Sequence, residues 1–269
     1  MAKLGIALQV FSLRDDLAKD FVGTLRAVSA LGYQGVELVS YYGNYGLSSA
    51  ELKRVLSDLN LKAIGIHIGA ATLKEKFDET VGYYADAGLT DIGVSSLPHD
   101  DYATAEGCRQ GGEWLAQLAE RGRAYGVGLY YHNHHSDFNR FGDQFGLDLI
   151  LAGSTAKTVG LEADVYWITY GGYDPATIIR QYADRCRFIH LKDRPAVVDV
   201  TIEDVMAGKA EGGKLFAEVG EGVVDWPAVF AASEASPASW YVVEQDASSR
   251  PMLESVAISM RHLKEWGKI

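Results

Sequence analysis

Four stretches of this chain place side chains that bind metal ions directly after a predicted strand. The apolar runs are Val127–Tyr131, Lys157–Ala163, Arg187–Ile189 and Trp240–Val243, and the polar motifs at their ends are HNHH, EAD, HLKD and EQD. Near-continuous apolar runs are typical of strands in a parallel sheet that is covered on both faces. Because a parallel barrel gathers the carboxyl ends of its strands on one face, the pattern predicts a (β/α)8 barrel with its chemistry on that face.

The rest of the chain continues the same alternation of strand and helix. Further strands are predicted at Leu4–Val10, Gly35–Val39, Leu61–Ile68 and Thr90–Ser95. A helix is expected from about Leu73 to Ala87, and a longer one over Ala103–Tyr125 with a break near glycines 107, 111 and 112. With 269 residues and no linker or low-complexity tract, we expect one barrel domain over residues 1–269.

The strand-end side chains predict a bound divalent cation. Any one histidine or carboxylate at a strand end is more often a hydrogen-bonded structural group, so the argument depends on the set His132, Asp164, His190 and Glu244. Four such groups buried without a counter-charge would cost several kcal/mol. Two nitrogens and two oxygens suit Mn²⁺, Zn²⁺, Fe²⁺ or Co²⁺ better than a Ca²⁺ cage. We expect one divalent ion, with Mn, Zn, Mg, Fe and Co as candidates.

Composition excludes several classes of function. The chain has 25 basic and 36 acidic residues, a formal net charge of −11, which repels phosphate backbones and argues against nucleic-acid binding. No apolar run approaches the roughly 18 residues that a membrane span needs, and the N-terminus lacks an apolar signal segment. Cys108 and Cys186 show no CxxC spacing, as expected in a reducing cytosol. The expected setting is cytoplasmic, without membrane partners, and a homo-oligomer is compatible with the sequence.

Neighbours of the four ligands are candidates for catalysis. Side chains alternate along a strand, so His134 should lie on the same side as His132, as a substrate contact or second ligand. The same spacing places Lys192 beside His190, where it could hydrogen-bond a sugar oxygen or an enolate.

Other polar and aromatic residues are candidates for substrate binding. Glu37 and His67 lie at the ends of strands two and three and could line the same mouth. Trp167 and the pair Tyr41-Tyr42 are candidates for apolar pocket walls, although aromatics at strand ends are often core residues.

One long segment has no predicted secondary structure. Arg194–Val224 follows strand seven and contains glycines at 208, 212, 213, 220 and 222. A loop of this length in a compact domain is more often functional than idle. We therefore expect it to cover the barrel mouth as a lid, with Asp193 at its start in a structural role.

Six motifs, taken in order, resemble one known family. The motifs are YHNH from Tyr131, LEADVYW from Leu161, GGYDP from Gly171, IHLKD from Ile189, VGEG from Val219 and VEQD from Val243. Together they resemble the xylose-isomerase-like TIM barrels and, within these, the group of sugar phosphate isomerases/epimerases. The resemblance covers essentially the whole chain.

The resemblance also implies a ligand set with one departure. Such barrels hold their metal with Glu, Asp, His and Glu at the ends of strands five to eight, and Asp164, His190 and Glu244 match the last three. His132 stands where the relatives carry the first glutamate. Because ketose epimerases use two glutamates for proton transfer, the departure leaves Asp137, Lys192 and His67 as candidates for the second proton step; Asp137 is also expected near the substrate.

The implied activity is isomerisation or epimerisation of a keto-sugar or polyol through a metal-stabilised enediolate, with Glu244 moving the proton. The alternative is elimination from the same enolate, as in inosose dehydratases or a keto-glycoside lyase.

Endonuclease IV, which cuts DNA at abasic sites, is a further relative, but its three zinc ions and basic groove do not fit seven histidines and a charge of −11. A sugar-binding protein without catalysis is disfavoured, since all four ligand positions are filled.

Overall fold

The computed structural model describes residues 3–40, 45–98 and 102–269, apart from the side chain of Met206, and shows eight parallel strands alternating with helices. In chain order the barrel strands β1 to β8 are Gly5–Gln9, Gly35–Val39, Lys62–His67, Asp91–Val94, Gly128–His132, Val159–Asp164, Cys186–Leu191 and Trp240–Val243. A two-stranded hairpin, Arg140–Phe141 with Gln144–Phe145, lies outside the barrel.

The eight strands close into one barrel. Each strand pairs in parallel with the next, and β1 closes on β8 with Gly5 opposite Trp240 and Leu8 opposite Val243. The register shifts between Leu161 and Glu162, where β6 pairs with β7. The (β/α)8 barrel predicted from the alternation is confirmed, so the ends of β5 to β8 share one face.

The helices α1 to α12 surround the barrel: Arg14–Leu17, Phe21–Leu31, Ser49–Asp58, Ala70–Glu75, Phe77–Asp86, Ala105–Gly122, Gly146–Ala152, Val165–Tyr170, Pro175–Gln181, Ile202–Met206, Trp226–Glu234 and Met252–Glu265. Their ends follow from local chemistry. Asp174 accepts the Thr177 N–H at 2.8 Å in front of Pro175, which occupies the first helical position, where proline is favoured.

Two helices differ from the sequence expectation. The helix expected from Leu73 to Ala87 is two helices, α4 and α5, which meet at Lys76. By contrast, α6 runs unbroken through its glycines. A Cβ atom at Gly112 would clash with the backbone oxygen of Ile150 in α7, so the glycine allows α6 and α7 to approach closely. Helix packing outweighs the low helix propensity of glycine here.

The barrel interior is apolar in its lower part and polar toward the carboxyl ends of the strands. Its lower part holds Ala7, Ile64, Tyr130, Phe188 and Val242. Further toward the carboxyl ends, the inward-facing positions carry buried glutamates, histidines and an aspartate. A packed apolar floor thus fixes the depth at which the polar side chains begin.

The segment that follows β7 is anchored by Asp193. The buried carboxylate accepts the backbone N–H groups of Gly220 at 3.0 Å and Gly222 at 3.1 Å, and the indole N–H of Trp226 at 2.8 Å. The structural role expected for Asp193 is confirmed. No helix in the described part of the chain combines the length and the apolar character that a membrane crossing requires.

Candidate metal centre and active site

Four side chains from the ends of β5 to β8 meet at the centre of the barrel mouth. His132 and Asp164 are the last residues of β5 and β6, His190 is the penultimate residue of β7, and Glu244 directly follows β8. One potential ligand atom from each lies within 4.8 Å of the others, and all four residues are buried. The structure therefore brings together the four residues predicted from the sequence.

The donor atoms fit a divalent cation. Asp164 Oδ2 lies 3.7 Å from both His132 Nε2 and His190 Nδ1, while Asp164 Oδ1 accepts the Trp167 N–H at 2.8 Å. Within the described residues, Asp164 Oδ2 and His190 Nδ1 are buried atoms without a hydrogen-bond partner. A cation held by two imidazoles and two carboxylates would satisfy both atoms.

Carboxylates surround the buried Lys192 at the mouth. Asp164 and Glu244 lie beside it, and two further buried carboxylates, those of Glu37 and Glu162, lie in the layer beneath. The Lys192 ammonium lies 2.7 Å from Glu244, 3.3 Å from Asp164 and 2.9 Å from Asp246. Burial lowers the pKa of Lys192, but these carboxylates outweigh burial and raise it well above its ordinary value.

The surroundings also set the charge states of the candidate ligands. Burial raises the pKa of Glu244, but Lys192 and His190 outweigh it, so the pKa is lowered and the carboxylate is ionised at neutral pH. Burial, followed by His190 and His134, lowers the pKa of His132 well below its ordinary value. His132 is therefore neutral, which is the form that binds a metal ion.

Beneath the four residues lies a second polar layer that sequence reasoning missed. Glu162 Oε2 lies 2.8 Å from His67 Nε2 and 3.0 Å from His132 Nδ1, and Glu162 Oε1 lies 3.1 Å from His190 Nε2. His67, His132, Glu162 and His190 form a second cluster of potential ligand atoms. Glu162 precedes Asp164 by two residues, and this period-two spacing was the signal that could have identified it.

Glu37 belongs to this deeper layer and not to the cavity lining, where a substrate contact was expected. Its carboxylate is fully buried, accepts hydrogen bonds from Tyr130 and from Gln9, the latter at 2.7 Å, and lies 2.8 Å from His190 Nε2. It is absent from the described residues that line the cavity above. His67, in contrast, lines that cavity as expected.

A cavity of about 400 Å³ opens above the metal centre. Its floor carries His67, His132, Lys192 and Glu244, and its apolar walls include Trp167, Phe216, Ile202, Val205 and Phe11. Its size falls within the usual range of small-molecule sites. Ile202, Val205 and Phe216 belong to the 194–224 segment, which therefore covers the mouth on the face predicted for the lid.

The residues after β5 divide into one that faces the cavity and one that does not. His134 lines the cavity, and burial, followed by the charge of Lys192, lowers its pKa to about 4. Asp137 does not line the cavity among the described residues. Its carboxylate accepts hydrogen bonds from the Tyr131 hydroxyl at 3.0 Å and the His134 N–H at 2.8 Å. This carboxylate closes its own turn, whereas the sequence expectation placed Asp137 next to the substrate.

The remaining candidate residues differ in whether they line the cavity. Trp167 lines the cavity, with its ring 5.3 Å from the Lys192 ammonium, as predicted for a pocket wall. The pair Tyr41-Tyr42 lies outside the described residues. Arg14 and Asp246 also line the cavity, and neither was identified from the sequence.

The family of this chain follows from comparing its sequence with models of known families. Residues 25–266 match the family model described as "Xylose isomerase-like TIM barrel". The chain belongs to the xylose isomerase-like TIM barrel family. The metal-ligand set that the family resemblance implied falls on Asp164, His190 and Glu244, three of the four residues that the structure gathers.

Among curated relatives of this xylose isomerase-like barrel, the rhizopine catabolism protein MocC of Rhizobium meliloti is 29% identical, over 80% of this chain and 71% of MocC. An inosose dehydratase of Clostridium botulinum is 25% identical, over 94% of this chain and 93% of the dehydratase.

Solved structures share the fold. A sugar phosphate isomerase/epimerase from Parabacteroides distasonis superposes with a TM-score of 0.79 at 23% identity, covering 97% of this chain and 98% of the other. The IolI protein, solved with a bound zinc atom, superposes with a TM-score of 0.68 at 14% identity, covering 97% and 96%. At these identities the likeness shows the fold alone.

Proposed function

We propose that this protein is a divalent-metal-dependent enzyme that isomerises or epimerises a keto-sugar or a related polyol by moving a proton next to the carbonyl. The observation that supports it most is the place of Glu244, which belongs to the candidate metal centre, lines the cavity and lies 2.7 Å from Lys192.

The residues present divide the chemistry between them. His132, Asp164, His190 and Glu244 would hold a divalent cation, which would supply Lewis-acid stabilisation of negative charge on the substrate oxygens. Glu244 is ionised at neutral pH, so it accepts the proton. Lys192 is protonated, so its charge stabilises the enediolate that the proton leaves behind. His134 is neutral and exchanges a proton from a second position in the cavity.

The strand-five histidine distinguishes isomerisation from epimerisation. One base moves a proton between two adjacent carbons on a single face of an enediolate, whereas inversion at one carbon needs proton transfer on both faces. Isomerisation therefore needs only Glu244 as the base. Epimerisation needs a second base as well, and because His132 stands where a relative would carry that carboxylate, His134 would have to supply it.

Elimination is the second candidate, and the inosose dehydratase relative, which aligns over 94% of this chain, favours it. In this reaction Glu244 takes the proton, the resulting electron pair forms a carbon–carbon double bond, and the bond to the leaving oxygen breaks. The leaving oxygen receives a proton from the protonated Lys192, and water or an alcohol is released. No second carboxylate is required, which agrees with His132.

Two measurements test these proposals. Elemental analysis of the purified protein should find about one divalent ion per chain. Keto-sugars, keto-inositols and 3-keto-glycosides are then incubated with the enzyme in D₂O and followed by NMR and mass spectrometry. Deuterium at the carbon beside the carbonyl with an unchanged carbon skeleton indicates an isomerase or epimerase, while loss of water or an alcohol indicates elimination. Exchange with none of these substrates, by a protein that holds its metal, would contradict the proposed substrate class.

A further inference from the structure

The two potential ligand clusters at the mouth share His132 and His190, and the geometry decides how the clusters relate. Both rings lie between an upper pair of carboxylates, Asp164 and Glu244, and a lower pair, Glu37 and Glu162. A neutral imidazole carries one N–H donor and one lone pair, so each ring can offer its lone pair in only one direction. The two clusters cannot both bind a metal through the same neutral rings.

The distances assign a direction to each ring. The Nδ1 atom of His132 lies 3.0 Å from Glu162 Oε2, while its Nε2 atom faces Asp164. For His190 the roles of the nitrogens are reversed. Its Nε2 atom lies 2.8 Å from Glu37 Oε2, while its Nδ1 atom lies 3.2 Å from Glu244 and 3.7 Å from Asp164.

The lower carboxylates are themselves held in place. Tyr130 and Gln9 donate hydrogen bonds to Glu37. The Nε2 atom of His67 lies 3.1 Å from Glu37 and 2.8 Å from Glu162, so it bridges the two glutamates. Both glutamates are fully buried. Rigid acceptors of this kind fix the tautomer and orientation of a metal-binding histidine and increase its basicity.

We propose that Glu162 and Glu37 are positioning residues that turn His132 Nε2 and His190 Nδ1 toward a metal bound by the upper cluster. The proposal rests on the metal centre of the proposed function and assigns a role to two residues that the reaction does not use directly. It also assigns the deeper cluster to ligand support and not to a second ion.

The experiment compares the Zn²⁺ and Mn²⁺ affinities of wild type, Glu162→Gln and Glu37→Gln by competition with a chelator at neutral pH. Each glutamine keeps the size of the side chain but presents an amide donor where a ring needs an acceptor. We expect each variant to bind Zn²⁺ roughly 10- to 100-fold more weakly than wild type. Asp91→Asn is the matched control, since Asp91 is a buried barrel carboxylate at the start of β4, paired with Arg187. It should bind as wild type does.

A second measurement reports the coordination and protonation of each ring directly. In Zn²⁺-loaded wild type with ¹⁵N-labelled histidine, NMR should show two coordinated imidazoles, His132 through Nε2 and His190 through Nδ1. In Glu162→Gln, the Nδ1–H proton of His132 should exchange with solvent faster, while His190 is less affected. A purely structural role would not select one ring.

The outcomes separate the two levels of the argument. Wild type that binds no Zn²⁺ or Mn²⁺ would end the metal centre and this inference together. A wild type that binds metal, with both glutamine variants of unchanged affinity, would overturn the inference alone. Three coordinated histidines, including His67, would place the ion in the deeper cluster, and the proposal would be wrong even if a variant failed to fold.

Discussion

Asp164 contributes a carboxylate oxygen to the candidate centre. Its Oδ2 atom is buried without a hydrogen-bond partner in the described chain, as is His190 Nδ1. We therefore expect Asp164→Ala or His190→Ala to abolish metal retention, measured by elemental analysis after dialysis. Asp91→Asn, at the opposite end of the barrel, should retain the metal. Full metal content in both alanine variants would contradict the four-residue centre.

Glu244 carries the proposed proton transfer. Glu244→Gln keeps the size and one ligand oxygen but removes the base, so exchange of the substrate α-proton with D₂O should fall by roughly 10²-fold or more. His132→Glu should retain the metal and restore the second carboxylate of the epimerases, so it serves as the companion variant. Exchange that survives in Glu244→Gln would show that another residue is the base.

Protonation of the buried Asp137 carboxylate should make the free energy of unfolding depend on pH. Burial raises its pKa to about 7, even though hydrogen bonds from His134 and Tyr131 lower it. The folded state therefore holds this proton more tightly than the unfolded state, and the stability from protonation is lost as pH rises from about 4 to about 7. Relative to wild type, Asp137→Asn should gain stability over this window, by on the order of 1.4 kcal/mol per pH unit at most.

Denaturant unfolding at a series of pH values measures this prediction. The free energy of unfolding of wild type minus that of Asp137→Asn should decrease as pH rises. A difference that is flat between about pH 4 and pH 7 would show that Asp137 is ionised in the folded state throughout.

The residues that were predicted correctly are those whose position along a strand determines where they point. His132, Asp164, His190 and Glu244 end their strands, so topology alone places them together. Depth inside the barrel is different, because it depends on register and on the apolar residues below. Glu37 is the middle residue of β2 and not its last, and it lies one layer deeper, among Tyr130 and Gln9, so the expectation that it ends its strand placed it too high in the barrel.

At the scale of elements, the sequence predicted the eight strands better than the helices. Apolar runs bounded by glycines identify buried strands, because both faces of a parallel strand must be covered. Helix continuity depends on neighbours as well. Gly111 and Gly112 suggested a break in α6, but the glycines are buried where α6 packs on α7 and against Leu97, and the helix continues. No single-sequence pattern reports such a close contact.

The 194–224 segment is the element whose role is open to direct test. It is anchored by Asp193 and provides the cavity walls Ile202, Val205 and Phe216. Replacing residues 199–209 with a short Gly–Ser link removes Ile202 and Val205 and leaves Phe216 and the Asp193 anchor. We expect a higher KM and a lower kcat with the proposed substrate, because water enters a site that the segment now covers.

The control for this shortening is the thermal stability of the barrel. Its thermal unfolding should change little, because the replaced residues contribute to the cluster above the mouth and not to the main core. Unchanged KM and kcat in the shortened protein would show that the segment is not a functional lid.

At the scale of the whole molecule, the barrel holds a concentration of buried carboxylates that its own cations only partly balance. Lys192, His67 and His190 compensate for part of this charge, because the neighbouring carboxylates raise the pKa of each despite burial, so the metal-free chain has a route to a folded state. The net charge of −11 over the chain makes the buried carboxylates less favourable still, because it repels further negative charge. A bound divalent cation should therefore stabilise the entire fold and not only the mouth.

This coupling gives a prediction for global stability. A ligand that binds only the folded state stabilises it by RT ln(1 + [L]/Kd), about 2.7 kcal/mol when the free metal is at 100 times its Kd. For a protein of this size, each kcal/mol moves the Tm by roughly 2–4 °C. Zn²⁺ or Mn²⁺ at that concentration should thus raise the Tm by roughly 5–10 °C over the chelated protein. Asp164→Ala separates specific from general effects, because it should unfold at the same temperature with metal and with chelator. An equal metal-induced shift in Asp164→Ala would mean that the ion stabilises the barrel from another site.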